Sequence, residues 1–451
     1  MNILKSLLKD LWGKKQTSAA EPHQLALTID KVRQQEGGNI LLFSGSSAGD
    51  ALARLTYENF QPFTSLCNGI HIFDLNSADW WPRLRDLLDE PIWFAASFFG
   101  IGQDLITIDT PQGTASLWEA VGIPFLRIYG DIPAYFPDRH IGRFRNSINS
   151  YADRSHAEFY QRWFEDKAMS ILLPAIPIEV RPLDEVDRQA KLKGPIIFIK
   201  NGNDPLALID YWRNALPRVI SQVLEDIGED CITPEALERE PELDRRIVGY
   251  FSEKGLDITA NRPLLCYMVA QLDDYIRRIK STLIAESMLD LPVVIRGQNW
   301  GHIDFTGRQA KYDPDNDYAR TQSLFDAALA IIDTSPNTLH APHDRIFRAA
   351  GRGTAFLTNY QEYIHHITDN PAECCYRFNA ESIANLVSRY LSSPEETIEM
   401  GLRQAAAFRA HYSVNHYIEA ISRAVNIMAL CLGGRPPNTQ NYVDFPPTWY
   451  R

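Results

Sequence analysis

Residues 345–359 read RIFRAAGRGTAFLTN and contain one complete helix–turn–strand unit. The helical part ends at two glycines, Gly351 and Gly353, and an apolar strand follows directly. Glycine commonly ends a helix because it adopts the left-handed conformation without steric cost. A helix that leads through such a turn into a buried apolar strand is typical of a parallel sheet covered by helices. This stretch therefore predicts an α/β fold.

The same alternation extends outward in both directions along the chain. Apolar runs bounded by turn residues predict strands, at residues 39–43, 70–74, 91–97, 105–108, 124–128, 195–200, 291–295, 328–332, 354–357 and 374–378. Helical spacing of apolar residues predicts helices, at residues 78–88, 114–120, 206–288, 380–391, 394–411 and 415–430. Strands separated by helices imply parallel βαβ units.

The alternation breaks between residues 150 and 185, where Pro174, Pro177 and Pro182 interrupt the pattern. We therefore predict two α/β domains, and a helical insertion in the second. The predicted organisation is an N-terminal amphipathic helix and linker at 1–21, a first domain at 22–190, a second domain at 191–430 with the insertion at 206–288, and a tail at 431–451.

The amino-acid composition excludes several classes of function. The chain has 45 basic and 57 acidic residues, and a net charge of -12 argues against nucleic-acid binding. The six cysteines form no C-x-x-C pair, so we expect neither a metal site nor a disulfide framework. No apolar run is long enough to span a membrane, and no secretion signal is recognisable, so we expect a cytoplasmic protein. Residues 1–15 form a basic amphipathic pattern, which fits either a peripheral membrane contact or a helix packed on its own domain.

Parallel sheets bind ligands at the carboxyl ends of their strands, where loops and helix N-termini present free N–H groups. Two such sheets suit a nucleotide-linked substrate, although neither a P-loop nor a G-x-G-x-x-G motif is present. The residues that we expect to contact such a ligand follow predicted strands in the second domain. They are Gly202, Asn203, Gly297, Trp300, Asn337, His343, Thr358 and Asn359.

At residues 345–359 the chain resembles the C-terminal half of GT-B glycosyltransferases, in particular the CgeB-like (spore-maturation) branch of the group 1 transferases. That family carries R-x-F-E-x-x-A-x-G-x-x-L-L-T-D here. The turn at residues 295–300 looks like its strand–G-x-x-W turn, and residues 378–421 look like its helical tail. A weaker resemblance covers residues 118–133. The resemblance implies two Rossmann-like domains facing a cleft: the first holds the acceptor, and the second holds a nucleotide-sugar donor used as a substrate, with no cofactor and no metal.

The chain departs from the family at several positions. Many retaining relatives carry two glutamates with seven residues between them, and the matching positions here are His340 and Arg348. Arg348 fits either a second cation on phosphate or a solvated helix residue. The family's T-D appears as Thr358 and Asn359. Retention or inversion of stereochemistry is therefore open.

Three residues are the catalytic candidates. Arg345 matches the family's arginine and fits a bidentate grip on a diphosphate leaving group, or alternatively a helix-end salt bridge. Asp131 follows the strand at 124–128 and fits a base that deprotonates the acceptor hydroxyl, or alternatively an Asp that caps its own turn. His140 is a secondary candidate for the same role.

The sequence therefore predicts a glycosyltransferase that moves a sugar from a nucleotide-sugar donor to an unidentified acceptor, either a protein or a cell-surface glycan. Two alternatives remain open. A nucleotide-sugar epimerase would convert the sugar without an acceptor. A catalytically inactive nucleotide-sugar-binding or scaffold protein would bind the donor without turnover.

Overall fold

A computed structural model describes residues 36–45, 51–105, 107–110, 113–141, 144–165, 168–174, 176–335 and 337–432. The described residues form two compact units. The first unit contains the residues up to Pro177 and those from Val414 onward, and the second contains Ile178–Ser413. The predicted N-terminal helix and linker, and all of the predicted tail beyond Leu432, lie outside the described residues.

The first unit is built on a six-stranded parallel sheet with the strand order β2-β1-β3-β6-β7-β8. Its strands are β1 (Asn39–Ser44), β2 (Ile70–Asp74), β3 (Ile92–Phe98), β6 (Phe125–Tyr129), β7 (Ser147–Tyr151) and β8 (Met169–Leu172). A separate antiparallel hairpin contains β4 (Thr107–Thr110) and β5 (Gly113–Ser116). Every residue of β1 is buried, as expected for a strand covered on both faces.

The helices of the first unit cover both faces of this sheet. They are α1 (Ala51–Phe60), α2 (Trp80–Leu87), α3 (Leu117–Val121), α4 (Pro137–Ile141), α5 (Arg154–Trp163) and α16 (Val414–Leu432). One face packs in a cluster that includes Leu42, Phe94 and Ile148 together with Ile421 and Val425 of α16. The last described helix of the chain therefore completes the core of the first unit.

The second unit contains a six-stranded parallel sheet with the order β11-β10-β9-β12-β13-β14. Its strands are β9 (Ile196–Ile199), β10 (Val293–Arg296), β11 (Lys311–Asp313), β12 (Ala330–Ile332), β13 (Ala355–Asn359) and β14 (Cys375–Tyr376). Its helices are α6 (Arg188–Lys193), α7 (Pro205–Ala215), α8 (Arg218–Cys231), α9 (Pro234–Leu237), α10 (Leu243–Glu253), α11 (Arg262–Glu286), α12 (Tyr318–Ala327), α13 (Asp344–Gly351), α14 (Ala380–Ser392) and α15 (Pro394–His411).

The predicted helical insertion is present between β9 and β10 as the five helices α7 to α11. Local sequence explains where its first and last helices begin. The Asp204 side chain accepts from the Leu206 N–H, and Pro205 occupies the first helical position of α7. Asn261 caps α11 in the same way through the Leu264 N–H. Such caps satisfy N–H groups that have no partner within the helix.

The two parallel sheets with flanking helices confirm the predicted α/β class, but several predicted details are wrong. The predicted strand at 105–108 overlaps β4 of the β4–β5 hairpin, and the predicted helix at 114–120 is divided between the end of β5 and the short α3, which begins at Leu117. The interrupted region at 150–185 contains helix α5 and strand β8. The contacts place the domain boundary after Pro177, before the predicted 190, and place α16 in the first unit.

In the part of the chain that the structure describes, no helix is long and apolar enough to cross a lipid bilayer.

Candidate functional site

Four strands of the second sheet bring the predicted ligand residues to one edge. Because β10, β9, β12 and β13 are neighbours and run parallel, the loops that follow them all lie at the carboxyl edge of this sheet. This is the edge where open α/β sheets bind their ligands.

The loops after β9 and β10 are joined to each other by hydrogen bonds. The Trp300 indole N–H donates to the Lys200 carbonyl oxygen at 2.8 Å, and the Gln298 N–H donates to the Asn201 side chain at 2.8 Å. The Asn299 amide donates to Asn203 at 3.0 Å. These contacts fix the two loops as one structural unit.

The glycines predicted to contact a ligand have a packing role in these loops. A Cβ on Gly202 would lie 2.1 Å from the Trp300 ring, and a Cβ on Gly297 would lie 2.3 Å from the Lys200 carbonyl oxygen. Gly297 also has a φ of 134°, which side chains rarely adopt. Trp300 is 1% exposed. Close packing of the two loops therefore accounts for Gly202, Gly297 and Trp300, and their contact with a ligand stays a prediction.

An ion pair at the end of β12 is the central feature of this edge. Asp333 directly follows the strand and is fully buried. Its Oδ1 accepts hydrogen bonds from Arg345 Nε at 3.0 Å and Arg345 Nη2 at 2.7 Å. Tyr376 donates its hydroxyl to the Asp333 carbonyl oxygen at 2.6 Å. Arg345 therefore makes a salt bridge, which was one of its two predicted roles, while 18% of its side chain remains exposed.

Sequence reasoning missed Asp333, although an acidic residue directly after a buried strand could have indicated it. The rest of the α13 N-terminus carries more charge. The His343 side chain caps the helix by accepting from the Arg345 N–H, and its ring also lies against the Asp344 carboxylate. Burial opposes ionisation of Asp344, but the charge and hydrogen bond of His343, with Arg348 and Arg345, outweigh it and hold the pKa of Asp344 well below its usual value. The helix therefore begins with an ionised carboxylate, which also favours the helix dipole.

The solvated role considered for Arg348 is wrong. Its side chain is 5% exposed, donates from Nε to Asp344 at 2.8 Å and from Nη1 to Gln322 at 3.1 Å, and lies over the Tyr318 ring. Arg348 thus ties α13 to α12.

Thr358 and Asn359 lie at the end of β13 and are both buried. The Asn359 Oδ1 accepts from the Ser335 N–H at 2.9 Å, and the Thr358 hydroxyl accepts from Gln361 at 3.3 Å. These contacts shape the loop after β12, which contains Asp333. The ligand contacts predicted for both residues are untested.

The helical insertion contributes to the same edge, which the sequence did not reveal. Asn337, in the loop after β12, donates its amide to the Asp273 carbonyl oxygen and to Asp273 Oδ1, both at 2.9 Å. Arg277, one turn further along α11, pairs with Asp273 Oδ2 at 2.6 Å. Buried Lys280 lies 4.7 Å from the Phe378 ring centroid, and burial lowers its pKa to about 8, against the opposing effect of Asp273 and Glu238. The Asp273–Arg277 spacing of four residues on a helix was the available signal.

The first unit holds the other two catalytic candidates. Asp131 lies in the turn directly after β6, as predicted, and is partly exposed. His140 lies on α4 and is 1% exposed, with its Nδ1 3.0 Å from the Phe136 carbonyl oxygen. Burial, together with the charge of Arg127, lowers the pKa of His140 to about 3, against the opposing effect of the hydrogen bond to Phe136. A buried neutral imidazole can accept a proton only with difficulty, so the catalytic role predicted for His140 has no support in this geometry.

Across the described ranges, no group of three or more His, Cys, Asp or Glu side chains is arranged to hold a metal ion. The predicted metal-independent chemistry stays a prediction.

Comparison with known proteins gives matches at two levels. The chain resembles several solved structures across most of its length. They include sucrose-phosphate synthase from Thermosynechococcus elongatus (10% identity, 87% of this chain and 99% of that chain, TM-score 0.45) and HepE from Anabaena in complex with UDP-glucose (9% identity, 86% and 99%, TM-score 0.43). A glycosyltransferase from Rickettsia africae is similar at 11% identity, over 86% of this chain and 98% of that chain, with a TM-score of 0.41. No curated protein matches the chain. Residues 277–423, about a third of the chain, match a family model described as glycosyl transferase-like.

Proposed function

We propose that this protein is a glycosyltransferase that binds a nucleotide-sugar donor at the carboxyl edge of the second sheet. One observation carries the proposal. The segment that matches the glycosyl transferase-like family model, residues 277–423, contains the Asp333–Arg345 pair, the start of α13 and the loops after β10, β12 and β13. The candidate site and the family match therefore coincide on the same residues.

Arg345 is the proposed contact to the donor's diphosphate. Asp333 engages Nε and Nη2, so it orients the guanidinium, while Nη1 makes no hydrogen bond within the described part of the chain. An arginine held in this way can donate to phosphate oxygens and stabilise the charge that develops on the leaving nucleotide. The N-terminus of α13 adds the positive end of its helix dipole, which favours the same negative charge.

We further propose that transfer needs no metal ion and that Asp131 is the base. Asp131 follows β6, whose carboxyl end belongs to the ligand-binding edge of the first sheet. Its partial exposure makes the carboxylate accessible to an acceptor hydroxyl, in contrast to buried His140.

A second candidate function, donor binding without catalysis, is favoured by one observation. One position that resembles a glutamate of retaining relatives is occupied by Arg348, whose side chain is buried in contacts with Asp344 and Gln322. That position therefore presents no carboxylate to a donor.

Donor binding is tested by thermal unfolding with UDP-, GDP-, CDP- and dTDP-linked sugars. A ligand that binds only the folded protein at a hundredfold excess over its Kd stabilises it by about 2.7 kcal/mol. We expect one nucleotide to raise Tm in the wild type and in Arg352→Met, and to have little effect on Arg345→Met. Arg352 is the matched control, because it ends α13 and pairs with Asp326 and Glu179. A panel without any shift, or an equal shift in Arg345→Met, would contradict the proposed donor site.

Turnover separates the two candidate functions. With the donor identified, nucleotide release is measured in the presence of candidate acceptor glycans and proteins. A glycosyltransferase releases nucleotide together with a glycosylated product, and Asp131→Asn should lower kcat by at least a hundredfold while donor affinity is kept. Donor binding without turnover would support the inactive function, and turnover retained in Asp131→Asn would exclude Asp131 as the base.

A further inference from the structure

The first unit contains a buried arginine without a carboxylate partner. Arg127 lies in β6 and is 3% exposed. Its Nε donates to Gln103 Oε1 and its Nη1 donates to the Arg139 carbonyl oxygen at 2.7 Å, so both acceptors are neutral. Arginine keeps its charge at every physiological pH, and a buried charge is costly unless an opposite charge compensates it.

The nearby carboxylates do not compensate this charge. Asp104 pairs with Arg139 at 3.0 and 3.2 Å. Asp131 lies beyond the end of β6, in the turn that follows the strand. Among the residues that the structure describes, Arg127 forms no salt bridge.

Polar groups without partners surround the guanidinium. Strands β6 and β7 pair Arg127 with Asn149 and Tyr129 with Tyr151, so alternate residues place all four on one face of the sheet. Tyr129, Asn149 and Tyr151 are each at least 99% buried. The two tyrosine hydroxyls and both amide atoms of Asn149 form no hydrogen bond of normal geometry, although the Tyr129 hydroxyl lies beside Arg127 and the Tyr151 hydroxyl beside Asn149. Each such group loses its hydration without a replacement, which is unfavourable.

Helix α4 covers this group of residues with His140. The imidazole lies 4.3 Å from the Tyr129 ring, between ring centroids, and its Nε2 is buried without a partner. Because burial keeps His140 neutral, its ring adds no negative or positive charge. We call Arg127, Tyr129, His140, Asn149 and Tyr151 the Arg127 cluster.

The loop after β3 is built closely against the same arginine. Phe99 and Gly100 have φ values of 56° and 70°, and a Cβ on Gly100 would lie 3.2 Å from Arg127 Cδ. A left-handed conformation at a phenylalanine is strained, and strain of this kind persists where the surrounding structure requires it. The loop thus encloses the guanidinium rather than leaving it open to solvent.

We propose that the Arg127 cluster binds a small oxyanion, either phosphate or a carboxylate. A guanidinium presents parallel N–H donors that match two oxygens sharing one negative charge. The Tyr129 and Tyr151 hydroxyls and the Asn149 amide supply further donors to such an ion. An oxyanion would at once compensate the charge of Arg127 and provide partners for these groups. The low exposure of the cluster favours a free small ion over a group on a large molecule.

The test compares thermal unfolding in sodium phosphate, sodium acetate and sodium chloride at matched ionic strength and pH 7.5. We expect a saturable rise in Tm with phosphate, acetate or both, relative to chloride. A rise with phosphate alone identifies a phosphate site, and a rise with acetate alone identifies a carboxylate site. An equal Tm in all three salts would overturn the proposal and assign the unpartnered groups to water.

Variants show whether the effect belongs to this cluster. Arg127→Met should abolish the oxyanion-dependent rise, whereas Arg352→Met in the second unit should retain it. If Arg127→Met does not fold, Tyr129→Phe provides the test, since it keeps the ring and removes only a hydroxyl without a partner. Tyr129→Phe should weaken oxyanion binding severalfold, and an unchanged affinity would contradict the proposed site. The assay needs no sugar donor, and loss of the rise in Arg127→Met distinguishes this site from the donor site proposed at Arg345.

Discussion

Each unit contains an arginine next to its parallel sheet, largely buried in the second unit and fully buried in the first, and the two differ in what faces the guanidinium. Arg345 in the second unit donates two hydrogen bonds to the carboxylate of Asp333. Arg127 in the first unit donates only to a neutral amide and a backbone carbonyl. A buried cation that meets a carboxylate has its charge compensated within the fold, whereas one without a carboxylate keeps an uncompensated charge.

Two histidines show the same difference. His343 lies against the ionised carboxylate of Asp344 at the start of α13. His140 packs among Tyr129, Tyr151 and Phe164 and is held neutral by burial. At the carboxyl edge of the second sheet, Arg345 and His343 therefore each face a carboxylate. On the β6–β7 face of the first sheet, Arg127 and His140 face none within the described part of the chain.

Asp333→Asn should have the largest effect, because it removes the carboxylate to which Arg345 donates two hydrogen bonds. Loss of one partner of a buried pair typically lowers the free energy of unfolding by about 3 kcal/mol. Urea unfolding at pH 7.5 measures the change. The double variant Asp333→Asn/Arg345→Met is the control. Its loss of unfolding free energy should be smaller than the sum of the losses in the two single variants. A loss below about 0.5 kcal/mol in Asp333→Asn would mean that the pair does not stabilise the fold.

His140→Phe should change how stability depends on pH. The folded pKa of His140 is about 3, below its ordinary 6.5, so the unfolded chain binds more protons between these values. Neutral His140 therefore contributes fully to the free energy of unfolding above pH 6.5. This contribution decreases as the pH falls and is smaller by about 2 kcal/mol at pH 5. Between pH 7.5 and pH 5, the free energy of unfolding should therefore fall by about 2 kcal/mol less in the variant than in the wild type. An equal decrease in unfolding free energy in both proteins would show that His140 is not held neutral.

Two tyrosine changes give the smallest effects and form a matched pair. Tyr376→Phe removes the hydroxyl that donates to the Asp333 carbonyl oxygen, and should cost about 1 kcal/mol. Tyr129→Phe removes a buried hydroxyl without a partner, so in a buffer free of oxyanions stability should stay within about 0.5 kcal/mol or rise. Urea unfolding of both variants measures the difference. Equal losses would mean that the Tyr129 hydroxyl has a partner in solution.

The spacing of apolar residues predicted strands and helices well where the element is apolar or amphipathic. Strand β2 and helix α15 have the predicted bounds, residues 70–74 and 394–411. Strand β7 was missed because its residues, SINSY, are mostly polar and show no apolar run. They are all buried nonetheless, since one face of the strand meets the Arg127 cluster rather than an apolar core.

The candidate site was predicted in part. Sequence reasoning placed Arg345 in a helix and His343 among the ligand residues that follow predicted strands, and the structure brings both to Asp333. It missed Asp333 and Asp273. Asp273 lies 64 positions from Asn337, inside an insertion whose packing no local pattern describes.

The sequence alone determined the α/β class, the helical insertion and the resemblance to glycosyltransferases, because strands, helices and turns depend on residues close together in the chain. The tertiary structure decided that α16 returns to the first unit, that Arg345 is paired and that Arg127 is not. These outcomes depend on contacts between distant segments, such as the hydrogen bond from Trp93 to Asn426, 333 positions away. A buried charge acquires an oppositely charged partner only when such segments pack together. The unfavourable burial of the charge and the contact that compensates it therefore both arise from tertiary packing.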